Sequence, residues 1–165
     1  MNLSSFALAS TLRLGVLASV AGGLLLGFQH LREKALFERT SVEVLQAMTQ
    51  QLQANIDRTR CLHVPRDVTL SALVREGWLR TQIVQHSPWR LTPRYRANAS
   101  GRVIVRELVI TAPSNFAAIR LRSLAHQLPF SWTFQGRTLT LQAPVPGPTG
   151  VERMEFNPKT ACFSI

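Results

Sequence analysis

From Leu14 to Phe28 the chain reads LGVLASVAGGLLLGF, 15 residues without a charge. As a helix this run covers about 22 Å, short of the roughly 30 Å hydrocarbon core of a bilayer. Continued back through FALASTLR to Phe6 it reaches about 34 Å, with Arg13 near its start, where a long side chain can snorkel to the headgroups. Gly15, Gly22, Gly23 and Gly27 disfavour a helix in water, yet small residues suit close packing in a membrane, and Gly23 and Gly27 form a small-xxx-small pair. A cleaved signal peptide is the first competing reading, with Ser19-Val20-Ala21 as its cleavage site. GLLLGF follows that site, however, and a charged start is nearly missing. A helix buried in a soluble core is the second, but so small a domain could hardly cover it. The expectation is an uncleaved single span, with residues 1–28 as membrane anchor.

After Phe28 the pattern turns amphipathic. Leu31, Ala35, Val42, Leu45, Leu52 and Ile56 follow a 4–3 spacing, with Glu38 and Thr49 at two seam positions. No Pro or Gly occurs between Gln29 and Arg60, so one helix is predicted to run on from the span to about Arg58, with 29–60 as a stalk. Its stripe needs cover, either from its own domain or from another subunit in a coiled coil or bundle. Leu45, Leu52 and Ile56 are the candidate partner-binding positions.

The rest, 61–165, reads as a compact α+β head. Pro65 marks a turn; LSALVRE then predicts a short helix capped by Asp67 or Thr69 and stopped at Gly77. TQIVQ and WRLTPRYRA are candidate strands. Asn98-Ala99-Ser100-Gly101 is a turn, and RVIVRELVIT, apolar on both parities, is a central strand. Ser114 opens a helix with Ala117, Leu121, Leu124 and Leu128 on one face, and Pro129 ends it. FSWTF and TLTLQ flank Gln135-Gly136-Arg137 as a hairpin. A Pro- and Gly-rich loop and a last short strand in VERMEF follow. The fold class is therefore α+β: a transmembrane helix, a long amphipathic helix, and a small antiparallel sheet packed on helices. Helix–strand–strand occurs about twice.

Composition narrows the chemistry. The 165 residues carry 19 Lys+Arg against 9 Asp+Glu, a net charge of +10, and 45% hydrophobic residues exclude a disordered chain. Only Asp57, Asp67 and four His are present beside the Glu residues, and no zinc-finger spacing, phosphate loop, nucleophile elbow or HExxH motif occurs. No enzyme, cofactor or metal is expected.

Cys61 and Cys162 bracket the head. In a reducing compartment both are free buried thiols; in an oxidising one, a bond would tie the last residues to the end of the stalk. From Cys61 onward, 12 Arg and one Lys face five acids, a net of +8. Arg90, Arg94, Arg96, Arg102 and Arg106 concentrate around one expected hairpin with Trp89 and Tyr95. That grouping suits a phosphate backbone or stacked bases, or is simply a solvated Arg-rich face. Asn98-Ala99-Ser100 also matches a glycosylation sequon.

An apolar helix running into an amphipathic one and then a compact head resembles the plan of type IV pilins and minor pilins. Val68–Leu79, VTLSALVREGWL, is similar to the helix that follows the long helix in pilin-like subunits, and Ser87-Pro88-Trp89 resembles their turn before a strand. The pilin leader, with cleavage before Phe or Met and a Glu soon after, is matched only by Gly27-Phe28 and Glu33, at the far end of the apolar run. The chain also resembles the single-span assembly-platform proteins of pilus and type II secretion machines, which place a coiled helix before a ferredoxin-like αββ pair. Both resemblances imply a bacterial inner-membrane protein with a periplasmic head. Its partners would be other subunits of an envelope machine, met as a homo- or hetero-oligomer through the stalk. Arg32, Lys34 and Arg39 after the span point the other way, because the positive-inside rule puts their side in the cytoplasm. A membrane-tethered nucleic-acid binder is the alternative.

Overall fold

The computed structural model describes residues 3–146 and 155–164, with side chains from Gly27 onward. The elements in chain order are α1 (Leu3–Thr59), α2 (Leu70–Arg75), α3 (Thr81–Gln85), β1 (Arg90–Ala97), β2 (Val103–Thr111), α4 (Asn115–Ala125), β3 (Ser131–Gln135), β4 (Thr138–Pro144), β5 (Glu155–Asn157) and β6 (Cys162–Ser164). The chain is α+β, a long helix followed by a small antiparallel sheet, as its pattern predicts. It divides into two units, Met1–Phe37 and Glu38–Ile165.

The first unit is helical from Leu3. The expected span at 6–28 falls almost entirely on residues whose side chains lie outside the described set. Among the described residues, no helix is long and apolar enough to cross a membrane. Phe28 and Leu31 are 69% and 61% exposed.

The second unit begins at Glu38 and takes in the end of α1 together with the residues from Cys61 onward. Here the buried positions of α1 are Thr40, Ser41, Val44, Leu45, Ala47, Met48, Gln51, Leu52, Asn55 and Ile56. They form a stripe two residues wide, the mark of a helix lying on a broad surface rather than a narrow heptad seam. Val42, placed in the seam by its spacing, is 40% exposed. Leu45, Leu52 and Ile56 are each 2% exposed within the single chain. Within the single chain the head itself covers these side chains, the first of the two kinds of cover expected for the stripe.

The main sheet has the order β1-β2-β4-β3, with every neighbouring pair antiparallel. Cross-strand rows Leu91–Ile110–Leu139–Phe134 and Pro93–Leu108–Leu141–Trp132 build its inner face. β2, apolar on both parities, is interior as predicted. α4 is capped by the Ser114 side chain accepting from Ala117 N–H, and it buries Ala118, Leu121, Leu124 and Ala125. This face is rotated from the expected one, for Ala117 is only half-buried.

The five residues TQIVQ form α3, one helical turn, and not a strand. Five residues carry too little periodicity to separate the two states. With α3 helical, the head reads α3-β1-β2 then α4-β3-β4, and the second strand of each half meets its counterpart at the sheet centre. Both hairpins turn on a Gly-Arg pair, with Gly101 at φ +78° and Gly136 at φ +59°. Positive φ costs glycine little, which fixes both turns.

Candidate functional site

Three features of the head combine reactive or charged side chains with defined geometry. The first fastens α1 to the sheet. Tyr95 and Arg106 face each other across β1 and β2. Tyr95 donates its hydroxyl to the Met48 carbonyl at 2.5 Å. Arg106 donates through Nη1 to the Leu45 carbonyl at 2.8 Å and to Thr49 Oγ1, and through Nη2 to the Pro144 carbonyl at 2.8 Å. Burial lowers the Arg106 pKa, only partly opposed by Tyr95, and burial raises that of the Tyr95 phenol. Glu43 adds a surface clamp by accepting from Arg39 Nε at 2.9 Å and Arg80 Nε at 3.2 Å. Burial pulls its carboxyl upward, but hydrogen bonds from Arg39 and Arg80 outweigh this and hold it below its ordinary value.

The second feature is the closure at the end of α1. Cys61 and Cys162 form a disulfide across 101 residues, with Cα atoms 3.9 Å apart. Both cysteines of the chain belong to this pair. The backbone reinforces the closure: Phe163 N–H donates to Arg60 C=O at 2.7 Å, Leu62 N–H to Ala161 C=O at 2.8 Å, and Val103 N–H to Leu62 C=O at 2.8 Å. Leu52, Ile56, Leu62 and Val103 form a buried cluster here, packed by Tyr95, Val145, Phe156 and Phe163. β6, absent from the sequence reading, pairs with β5 over this cluster. The strand expected in VERMEF is β5; 151–154 lie outside the described residues.

The five arginines proposed for anion or nucleic-acid binding do not form one patch. Arg90, Arg94 and Arg96 alternate along β1, all exposed. Arg96 Nε lies 3.7 Å from Glu107 Oε1, and the Arg102 guanidinium sits 4.7 Å above the Phe156 ring. Arg106 is turned inward onto α1, which removes it from any such face. The sequon residue Asn98 is exposed and shapes the β1–β2 turn: its Oδ1 accepts from Ser100 N–H, Ser100 Oγ and Arg102 N–H.

The third feature was not legible as a site. A cleft of about 790 Å³ is lined by Gln51, Ala54, Arg58, Pro65, Arg66, Asp67, Glu76 and Trp78. Arg58 and Trp78 are separated in sequence by the turn and α2, so no spacing rule connects them. Among the described residues, no group of three His, Cys, Asp or Glu side chains is placed to hold a metal ion. Comparison with family models, curated proteins and solved structures finds no match.

Proposed function

We propose that this protein is a non-enzymatic, single-pass inner-membrane subunit of a bacterial pilus or secretion apparatus, with the head in the periplasm. The observation that carries the reading is α1 itself: one uninterrupted helix from Leu3 to Thr59. Its sequence carries no charge from Leu14 to Phe28, and its end is built into a head closed by Cys61–Cys162. A disulfide of this kind persists outside the cytoplasm, and this outweighs the positive flank in assigning orientation. The repeated helix–strand–strand order, with the two second strands adjacent, favours the assembly-platform resemblance and its ferredoxin-like αββ pair. Phe28 and Leu31, exposed at the foot of the apolar run, suit an interfacial collar.

The reading is tested by expressing the full chain in a Gram-negative host and separating membranes. It predicts that the chain resists extraction at alkaline pH and that its head is digested by protease added to spheroplasts. Release by alkali, or a head protected until lysis, would contradict it.

A further inference from the structure

We infer that the cleft beside Trp78 is a docking site for an acidic peptide segment, one that carries a carboxylate next to an apolar side chain. The argument rests on which polar groups in the cleft are already used. Asp67 accepts from Thr69 Oγ1 at 2.8 Å on one carboxylate oxygen and from Arg75 Nη2 at 3.1 Å on the other. Glu76 Oε2 accepts from Trp78 Nε1 at 3.0 Å. Gln51 donates to the Asp67 carbonyl at 2.8 Å while its Oε1 faces the Tyr95 hydroxyl at 3.4 Å. Both Asp67 carboxylate oxygens, Glu76 Oε2 and the Gln51 amide are thus engaged.

The donors are not. Arg58 spends one N–H on Asn55 Oδ1 at a long 3.3 Å, and Arg66 makes no hydrogen bond or ion pair to any described residue. Both are exposed. A guanidinium fork matches a carboxylate in two parallel hydrogen bonds. Pro65, Ala54 and the half-buried Trp78 line the same cleft as the two forks and offer apolar surface to a neighbouring side chain. The cleft is therefore complementary to one negative charge beside one apolar group.

The same lining argues against a nucleic acid. Asp67 and Glu76 both border the cleft, and two carboxylates in the lining repel a run of phosphates more than a single carboxylate. One indole also offers a single stacking surface. The site deepens the assembly reading by giving the partner's chemistry, but it lies wholly in the compact unit and needs no membrane.

The test uses the full chain in a neutral detergent and a fluorescein-labelled, amide-capped hexapeptide with one Glu next to one Leu and Gly or Ser elsewhere, followed by fluorescence anisotropy. Saturable binding is expected. Arg58→Glu with Arg66→Glu should weaken it about tenfold or more, while Arg120→Glu with Arg122→Glu, the same charge change placed on α4, should leave it within about twofold. Circular dichroism confirms that both double variants fold. Three results would overturn the proposal: no saturation up to about 1 mM, equal weakening by the two double variants, or displacement of the peptide by a ten-residue oligothymidine at lower concentration than by unlabelled peptide. Failure here, with alkali-resistant membrane insertion intact, removes the cleft and leaves the anchor reading standing.

Discussion

Arg106 reaches from the middle of β2 to the main-chain carbonyl of Leu45, 61 residues earlier, and donates to it at 2.8 Å. The bond, with its partner from Tyr95 to Met48, fixes how the last turns of α1 lie on the sheet. A helix whose buried stripe is two residues wide can slide or roll on an apolar surface. Directional bonds to its backbone remove that freedom.

Arg106→Ala should therefore cost about 2 kcal/mol, the scale of hydrogen bonds to a charged group, and Tyr95→Phe about 1 kcal/mol. Because the side chains are direct cross-strand neighbours, the double variant should depart from additivity by at least about 0.5 kcal/mol. Urea denaturation of all four proteins checks this. Strict additivity would mean that the two bonds act separately.

The Glu43 clamp gives a pH dependence with a definite sign. Its folded pKa lies below the ordinary 4.5. The stability it contributes is fully present above that ordinary value and is lost as pH falls through the folded one. Asp67, lowered by the Thr69 hydrogen bond and then by Arg75, acts in the same direction. Denaturation midpoints should fall below about pH 4.5, and Arg80→Gln should flatten that limb. An acid limb unchanged in Arg80→Gln would show that Glu43 is not its source.

The helix end carries a correctable strain. Arg60 terminates α1 at φ +59° while its N–H donates to Ile56 C=O at 2.7 Å. A left-handed residue with a Cβ at this position costs about 1 kcal/mol relative to glycine. Arg60→Gly should raise stability by up to about that amount, measured as a thermal shift of the oxidised protein. A lower melting temperature would show that the arginine side chain contributes more than the strain removes.

Closing 101 residues is worth about 4–5 kcal/mol in the chain-entropy account. Cys61→Ser with Cys162→Ser should thus remove a large part of the stability of the head. The backbone bonds that Phe163 and Leu62 make would still hold a weakened β5–β6 hairpin at low temperature. Equal melting of the oxidised and doubly substituted proteins would contradict this account.

Much of the architecture is legible in the chain because its punctuation is local. The absence of Pro and Gly from 29 to 60 gives the continuous helix, Thr69 and Gly77 bound α2, and Gly101 and Gly136 set both hairpins. What local pattern cannot supply is which surface covers a stripe. Leu45, Leu52 and Ile56 read as a seam for a partner because a 4–3 spacing fits either environment; the buried Gln51 and Asn55 beside them, hydrogen-bonded to the Asp67 and His63 carbonyls, are what widen the stripe. Arg106 shows the same limit in reverse. Its neighbours in sequence suggested an outward cationic face, and only the register with Tyr95 turns it onto α1. The cleft joins Arg58 to Trp78 through the tertiary fold and left no mark in any spacing.

The most direct test of an envelope protein with its head outside the cytoplasm is the state of Cys61 and Cys162 in living cells. Acid quenching with alkylation of free thiols, followed by reduction and a mass tag, reads this state on a gel. The account predicts that both cysteines are protected from the first reagent and shift together after reduction, within one chain. Two thiols that alkylate at once would contradict it, and would place the head where the positive flank after Phe28 directs it.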